Sequence, residues 1–442
     1  MPNSIVAIVG RPNVGKSTLF NRLVGRRIAI VEDTPGITRD RLYADAEWVG
    51  REFVVVDTGG MILDDKDPLI QQVRFQAEIA MEEADVIIFI VDVTEGATPA
   101  DIEVADLLRK ADKPVLLAVN KADNQRQERE AVEFYSLGLG DIFPISSIQG
   151  YGVADLLDKV VESLPENPWE DSYPEDAIRI AIIGRPNVGK SSTLNAIVKE
   201  ERSIVSSIPG TTRDAIDTLF EHEGQSVVLI DTAGIRRAGK LQQSVEYYSV
   251  LRAVRGIERA DVAMIITDAS EGLADGDKRV GGLADEAGKA SVIVVNKWDL
   301  VKGVQMHHYA MTIRNDAPFL AYSPIAFTSA KTGRGIHDAL DTAIVCARNH
   351  AMRLPTGEIN RIVQDAVDSH PLSQKGKQFK IYYATMPTVK PPTIVLFVND
   401  PDMLHFSYER YLENQIRKIH PYTGTPIRIF ARKAESRQDQ KK

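Results

Sequence analysis

The sequence predicts an α/β protein in which a doubly wound, mostly parallel domain occurs twice in tandem and a small α+β domain follows. Three observations support this prediction: a set of motifs recurs in one order, apolar runs alternate with helix-length segments in each copy, and a different pattern begins near Arg353. The 442 residues, 43% hydrophobic and 26% charged, are typical of a globular chain with about three domains.

Four motifs recur at a nearly constant spacing of 174 to 176 residues, which a chance match would not maintain. They are GRPNVGKS (from Gly10 and Gly184), PG-x-TRD (from Pro35 and Pro209), DT-x-G (from Asp57 and Asp231) and NK-x-D (from Asn120 and Asn296). We therefore expect a first domain at residues 1–164, an acidic linker with three prolines at 165–177, a second domain at 178–352, a basic domain at 353–435 and a polar tail at 436–442.

Apolar runs of strand length precede the motifs. In the first copy they are Ile5–Val9, Phe53–Val56, Val86–Val91 and Val115–Val119. Runs of this kind, separated by helix-length segments, are typical of parallel strands buried on both faces. The motifs follow directly after them, at the carboxyl ends of strands, where open α/β sheets bind ligands.

The last domain shows the order helix, strand, strand, helix, strand. The predicted elements are residues 358–368, 379–385, 393–398, 407–420 and 427–431. Tyr382, Tyr383 and Phe397 fall in the strand patterns, and we expect them in the core.

The formal charge of −9 is unevenly distributed. Residues 353–442 carry 15 Lys and Arg against 9 Asp and Glu, a balance of +6, which leaves −15 for the rest of the chain. The basic balance, with Arg417 and Lys418 adjacent, favours contact with structured RNA or with a neighbouring acidic domain, and charge alone does not separate the two.

Compartment and redox chemistry follow from simple counts. The apolar runs are far shorter than the roughly 20 residues that cross a bilayer, and no leader precedes the first strand, so we expect a cytoplasmic monomer without a membrane partner. The single cysteine, Cys346, has no partner for a disulfide or a thiolate metal site, and we expect it to be buried.

GRPNVGKS fits the phosphate-loop pattern G-x-x-x-x-G-K-[ST] between a strand and a helix. Its glycines let backbone N–H groups surround a polyphosphate; Lys16 and Lys190 would contact the terminal phosphates, and Ser17 and Ser191 would bind Mg²⁺. The alternative is a glycine-rich turn with a surface lysine. The candidate binding residues here are Gly10, Arg11, Pro12, Asn13, Val14, Gly15, Lys16, Ser17 and Thr18, and Gly184, Arg185, Pro186, Asn187, Val188, Gly189, Lys190, Ser191 and Ser192.

The next two motifs supply further metal and phosphate ligands. Asp57 and Asp231 end apolar strands, where a carboxylate can hold Mg²⁺, unless they are buried structural aspartates. Gly60 and Gly234 would offer a backbone N–H to the γ-phosphate. Thr38 and Thr212 would complete the Mg²⁺ shell only when the γ-phosphate is present, which predicts a switch.

The NK-x-D motif indicates guanine. The carboxylates of Asp123 and Asp299 can each accept hydrogen bonds from the guanine N1–H and exocyclic amine, whereas adenine has no N1–H. The stems of Lys121 and Lys297 can cover the purine, and Asn120 and Asn296 can brace the loops. Ser146 and Ser329 lie where a loop could touch the guanine oxygen, or in plain turns.

Together the motifs resemble translation-factor-class GTPases, and the tandem arrangement with a small basic third domain resembles the Der (EngA) family of ribosome-assembly GTPases. The resemblance covers nearly the whole chain. It implies two P-loop GTPase domains, a KH-like third domain, Mg²⁺, and GTP hydrolysis to GDP coupled to maturation of the large ribosomal subunit and binding of its rRNA.

Two features qualify how such a protein would work. Met61 and Ile235 occupy the position at which related GTPases carry a water-orienting glutamine. The resemblance implies that a K⁺ ion next to the phosphates supplies positive charge instead, and that Asn13 and Asn187 belong to its site. The alternative is that these asparagines only stabilise turns. The third domain has no G-x-x-G loop between its predicted helices. A scaffold that binds GTP with negligible turnover is the alternative to a slow, potassium-stimulated GTPase.

Overall fold

A computed structural model gives the architecture of the chain. It describes residues 4–24, 43–58, 73–74, 76–78, 80–81, 84–165, 173–174, 176–200, 204–209, 216–230, 253–374 and 377–434. The chain forms two compact units, Met1–Asp171 and Ser172–Lys442. The second GTPase-like copy and the basic C-terminal region thus share one unit.

The first unit is built on a six-stranded sheet in the order β2-β3-β1-β4-β5-β6. Its strands are β1 (Ser4–Val9), β2 (Tyr43–Trp48), β3 (Arg51–Asp57), β4 (Val86–Asp92), β5 (Val115–Asn120) and β6 (Ile142–Pro144). The helices described over their full length are α1 (Lys16–Val24), α2 (Pro99–Leu108), α3 (Gln125–Glu130) and α4 (Val153–Ser163), with a 3₁₀ helix at Ala131–Leu137. The described residues among 73–81 are helical as well.

All strand pairs of this sheet are parallel except β2 with β3. Every residue of β4 is buried, as expected of a central strand covered on both faces. One face packs against α1 and α4, with Leu19 and Leu156 fully buried in the shared core. The predicted doubly wound, mostly parallel fold is confirmed.

The second copy repeats this plan with a seven-stranded sheet in the order β13-β12-β11-β7-β10-β9-β8. Its strands are β7 (Ile178–Ile183), β8 (Ile204–Pro209), β9 (Ile216–His222), β10 (Gln225–Ile230), β11 (Val262–Asp268), β12 (Ala290–Asn296) and β13 (Ile325–Phe327). The helices described over their full length are α5 (Lys190–Glu200), α6 (Asp275–Glu286), α7 (Met306–Asp316) and α8 (Ile336–His350), with 3₁₀ helices at Trp298–Leu300 and Pro318–Leu320. Residues 253–259 are helical as well.

The C-terminal region has the predicted order helix, strand, strand, helix, strand. It comprises α9 (Thr356–Ser369), a two-stranded ribbon of β14 (Ser373–Gln374) and β15 (Lys377–Gln378), β16 (Ile381–Val389), β17 (Pro392–Val398), a 3₁₀ helix (Pro401–Met403), α10 (Phe406–Ile419) and β18 (Arg428–Lys433). β17 lies between an antiparallel β16 and a parallel β18. Alternate residues of the sheet, such as Ile394 and Leu396, pack with both helices in one core.

The prediction that the aromatic residues of β16 and β17 belong to this core is wrong. Tyr382 and Tyr383 are 59% and 45% exposed. Tyr383 stacks on Phe397 across the strand pair, with ring centroids 4.2 Å apart. For Tyr383 and Phe397 the reason is alternation, because their neighbours Ala384 and Leu396 take the helix-facing side. Tyr382 lies where the strand register shifts, between Ile381 and Tyr383, so the regular alternation does not reach it.

Gly424 joins the C-terminal region to the second copy. Its carbonyl accepts a 2.8 Å hydrogen bond from the Ser291 N–H at the start of β12, and its N–H donates to the Tyr322 carbonyl at 2.8 Å. A Cβ at this position would lie 2.1 Å from the Cys346 sulfur, so only glycine permits this approach. The predicted burial of Cys346 is confirmed, and Gly424 covers it.

Two basic residues strengthen the same junction. The Lys390 amine lies 2.6 Å from a carboxylate oxygen of Asp261, and the Arg428 guanidinium donates to the Glu286 carbonyl at 2.6 Å. Arg417, which the sequence placed in a cationic cluster, donates to carbonyls of its own region, including that of Thr425 at 2.8 Å. Part of the basic charge is therefore directed at the second copy. Among the described residues, no helix is long and apolar enough to cross a bilayer.

We expect Gly424→Ala to destabilise the second unit more than Gly303→Ala. Both glycines have φ near +75°, so the backbone strain of the two substitutions is similar, but a Cβ at Gly303 meets nothing within 4 Å. Overpacking against Cys346 should add about 1–3 kcal/mol to the loss at Gly424. Urea denaturation of the two variants would measure the difference, and equal losses would contradict the close packing described.

Candidate nucleotide-binding sites

The two phosphate loops fold around the amine of their lysine. Lys16 Nζ donates to the carbonyls of Gly10 and Arg11, each at 2.6 Å, and Lys190 Nζ donates to those of Gly184 and Arg185 at 2.7 and 2.8 Å. Burial lowers the pKa of Lys16 to about 8, and the nearby Asp57 carboxylate opposes this shift only in part. A negatively charged ligand at this amine would raise that pKa.

A buried asparagine amide packs under each phosphate loop. Asn120 Nδ2 donates to the Val14 carbonyl at 2.7 Å, and Asn296 Nδ2 donates to the Val188 carbonyl at 2.9 Å. A Cβ on Gly15 would lie 2.2 Å from the Asn120 nitrogen. Glycine is thus required at position 15 for two reasons: a side chain would collide with the Asn120 amide, and the backbone φ is +103°.

The same amide also holds the loop that carries Ser146 or Ser329. Asn120 Oδ1 accepts from the Ser147 N–H at 2.9 Å, and Asn296 Oδ1 accepts from the Ala330 N–H at 3.0 Å. One side chain at the end of β5 or β12 therefore connects two loops that are far apart in sequence. Because both contacts use the backbone N–H, the serine at 147 and the alanine at 330 serve it equally.

The carboxylates of the NK-x-D motifs are fixed by serine hydroxyls. Ser146 Oγ lies 2.5 Å from Asp123 Oδ1, and Ser329 Oγ lies 2.6 Å from Asp299 Oδ1. The structure thus brings together the aspartate and the serine predicted to face the base. In each copy one carboxylate oxygen is engaged by this serine.

The motif lysines pair with aspartates that sequence analysis missed. Lys297 Nζ lies 2.6 Å from Asp268 Oδ2, and Lys121 pairs in the same way with Asp92. Burial raises the pKa of Asp92 and Asp268, but the hydrogen bonds from the lysine and from Thr94 or Ser270 outweigh it and hold each pKa below its usual value. These pairs orient the lysine stems beside the position expected for the base.

A second missed feature holds the phosphate loop from outside. Arg11 Nε donates to Asp101 at 2.9 Å, and Arg185 Nε lies 3.1 Å from Asp277. Asp92 and Asp101 recur as Asp268 and Asp277 at the same spacing as the NK-x-D motifs. That spacing is the signal in the sequence that could have identified them.

The predicted Mg²⁺ ligands are only partly within the described residues. Ser17 Oγ donates to Asp57 Oδ2 at 2.8 Å, so these two lie together. Ser191 is the second residue of α5, next to Lys190. Other predicted residues lie outside the described part of the chain, namely Thr38, Gly60, Thr212, Asp231 and Gly234, as do Met61 and Ile235.

The remaining loop residues fall in the two turns as expected. Asn13 and Asn187 have left-handed backbone conformations, with φ of 66° and 64°. Asparagine tolerates this region better than most residues, which provides a conformational reason for its presence. Pro12 is exposed beside it, the side chains of Val14 and Val188 are buried, and Pro186, Thr18 and Ser192 lie in the loop or the first turn of the helix.

Comparison with known proteins agrees with this geometry. Residues 5–121 and 179–297 match the family described as "50S ribosome-binding GTPase", and residues 353–432 match "KH-domain-like of EngA bacterial GTPase enzymes, C-terminal". The chain is 54% identical to the GTPase Der of Pelotomaculum thermopropionicum over 98% of its length and 99% of that protein. The chain belongs to the Der family of GTPases.

Other relatives are consistent with the Der family. The GTPase Der of Halalkalibacterium halodurans is 54% identical over 98% of this chain and 99% of that protein. Among solved structures, Era of Aquifex aeolicus is 24% identical over 58% of this chain and 88% of that chain, with a TM-score of 0.31, which adds nothing to the assignment. As a Der-family protein, the chain is a GTP-binding hydrolase with two GTPase domains and a KH-like domain.

We expect Asn296→Ala to destabilise the second unit by about 1–3 kcal/mol, because it leaves the buried Val188 carbonyl and Ala330 N–H without their partner. Asn315→Ala, an exposed position on α7, is the matched control and should change stability by less than about 0.5 kcal/mol. Urea denaturation without nucleotide would compare them. A loss at Asn296 no larger than that at Asn315 would contradict the bracing role.

Proposed function

We propose that this chain is a GTP-hydrolysing switch with two nucleotide sites that acts in assembly of the large ribosomal subunit. The observation that carries the proposal is that the asparagine, lysine and aspartate contacts around the phosphate loop and base loop recur in both copies. The description "50S ribosome-binding GTPase" belongs to the matching family, and the KH-like, basic C-terminal region supports extending ribosome and rRNA binding to this chain.

In each site the residues would take separate roles. Lys16 and Lys190 would exchange their carbonyl partners for the terminal phosphates, which offer negative charge in place of neutral dipoles. Asp123 and Asp299 would accept the guanine donors, with the serine hydroxyl holding each carboxylate in place. GTP and GDP share these contacts, so both would bind.

Mg²⁺ fits the donors of the first site. Ser17 Oγ and the Asp57 carboxylate are oxygen ligands 2.8 Å apart, of the type that Mg²⁺ prefers. When bound, the ion would neutralise charge on the transferred phosphate. Ser191 and Asp231 would serve in the same way in the second site. Thr38 and Thr212 would complete the Mg²⁺ shell only when GTP is bound, and Gly60 and Gly234 would contact its γ-phosphate.

Potassium stimulation is the further part of the proposal. Asn13 and Asn187 lie in the exposed turn of each phosphate loop, where a monovalent cation would add fixed positive charge beside the reacting phosphate. Such a cation would substitute for the missing glutamine at Met61 and Ile235. We place the switch in the cytoplasm as a monomer.

Strand β12 supplies a physical route between the nucleotide and the KH-like region. Asn296, at its end, holds both loops of the second site, and Ser291, near its start, bonds to Gly424 of the C-terminal region. A change in the loops that moves β12 would therefore also shift the hydrogen bond between Ser291 and Gly424. This supports a nucleotide-dependent rearrangement that alters ribosome binding.

GTP turnover in potassium and sodium buffers, with Lys16→Ala, Lys190→Ala and the double variant, tests the proposal. We expect faster turnover in potassium and a loss of roughly a hundredfold or more in the double variant, because each lysine stabilises transition-state charge. Cosedimentation with purified large subunits should differ between GTP and GDP.

The single variants show which copy drives turnover. Turnover that is equal in both buffers would remove the potassium role. Tight GTP binding with negligible turnover in every buffer, with and without large subunits, would instead favour the scaffold. Binding to large subunits that ignores the nucleotide would contradict the switch.

A further inference from the structure

A cluster of two histidines and an aspartate lies in the second copy, on residues outside the nucleotide-binding motifs. His222 ends β9, and His337 and Asp341 lie one turn apart near the start of α8. His222 Nε2 is 2.7 Å from Asp341 Oδ1, and His337 Nδ1 is 3.1 Å from Asp341 Oδ2. One ligand atom from each of the three side chains lies within 4.8 Å of the others.

We propose that His222, His337 and Asp341 bind a divalent transition-metal ion of the Zn²⁺ class. Two imidazole nitrogens and one carboxylate oxygen form a ligand set that Zn²⁺ uses in proteins, with ligand distances of about 2.0–2.2 Å. Tetrahedral ligands at such distances lie about 3.3 Å from each other. The three ligand atoms, now within 4.8 Å of one another, would adjust to that spacing when the ion binds.

Burial differs usefully among the ligands. The His222 side chain is 2% exposed, whereas those of His337 and Asp341 are 50% and 43% exposed. The buried histidine would provide a fixed ligand, and the two helix residues open a path from solvent. The remaining coordination position would face solvent and hold water.

The first copy provides an internal comparison. Trp48 ends β2 as His222 ends β9, and its Nε1 donates to Asp158 at 2.6 Å. Ala154 and Asp158 are the second and sixth residues of α4, as His337 and Asp341 are of α8. The carboxylate thus holds the strand end to the helix in both copies. At the two remaining positions the first copy has Trp48 and Ala154, whereas the second copy has two histidines, His222 and His337.

A bound ion would join two elements with different roles. β9 belongs to the outer part of the sheet, and α8 runs from the end of the base loop towards α9 of the KH-like region. An ion that binds the folded protein and not the unfolded chain would raise the free energy of unfolding by an amount set by ion concentration and affinity. The ion would be distinct from Mg²⁺, which prefers all-oxygen ligands.

Zn²⁺ titration of the nucleotide-free, full-length protein by calorimetry, with Mg²⁺ in excess, tests the proposal. We expect one high-affinity site and a rise in the thermal unfolding temperature on Zn²⁺ addition. Loss of a group that only hydrogen-bonds to a metal ligand typically lowers metal affinity 10–100-fold. Because His337 and Asp341 are proposed as direct ligands, His337→Ala and Asp341→Asn should each weaken Zn²⁺ binding by at least about tenfold. Co²⁺ should give the visible absorption of a tetrahedral nitrogen and oxygen site.

Matched controls separate this site from adventitious binding. Asp158→Asn alters the equivalent carboxylate of the first copy, and His307→Ala removes an exposed histidine of α7, so both should leave Zn²⁺ affinity unchanged. His337 is exposed, and Asp341→Asn preserves the shape of the side chain, so circular dichroism should show that both variants fold. Zn²⁺ affinity that is undetectable in the wild type, or equal in wild type and both variants, would overturn the proposal.

Discussion

A side-chain amide at the end of a central strand is the contact on which each nucleotide site depends. Asn120 and Asn296 donate to the phosphate loop and accept from the base loop, so the strand that carries them sets the distance between the two. The side chain is almost fully buried, at 3% and 1% exposed, so its removal would leave loop backbone groups without their partner. The second glycine of each phosphate loop exists in part to admit this amide.

The duplication shows which contacts the two copies share. Both copies keep the lysine amine on loop carbonyls, the serine hydroxyl on the base-loop aspartate, and the arginine of the phosphate loop on a buried aspartate. They differ at the strand end that contacts the last helix of each copy, where Trp48 ends β2 and His222 ends β9. The second copy also bears the KH-like region through Gly424, so the same strand, β12, serves nucleotide and junction.

Much of the fold and of the site followed from local patterns. Apolar runs such as Val86–Val91 indicated strands buried on both faces, and the residue types of the phosphate loops and NK-x-D motifs indicated what they bind. Contacts between residues far apart in the sequence could not be predicted: no local pattern around Cys346 indicates that Gly424 packs against it. Tyr383 was misassigned because a three-stranded sheet with helices on one face exposes every second residue. Asp92 and Asp268 were overlooked because a strand-ending aspartate has no motif of its own.

We expect the asparagine amides to hold the phosphate loop and the base loop of each site together whether or not a nucleotide is bound. Residue-resolved amide hydrogen exchange of the nucleotide-free protein tests it directly, at the Ser147 and Ala330 N–H groups that donate to Asn120 and Asn296. We predict strong protection of both amides, with little change when GDP is added. Rapid exchange that becomes slow only with GDP would show that the nucleotide, and not the asparagine, builds the site.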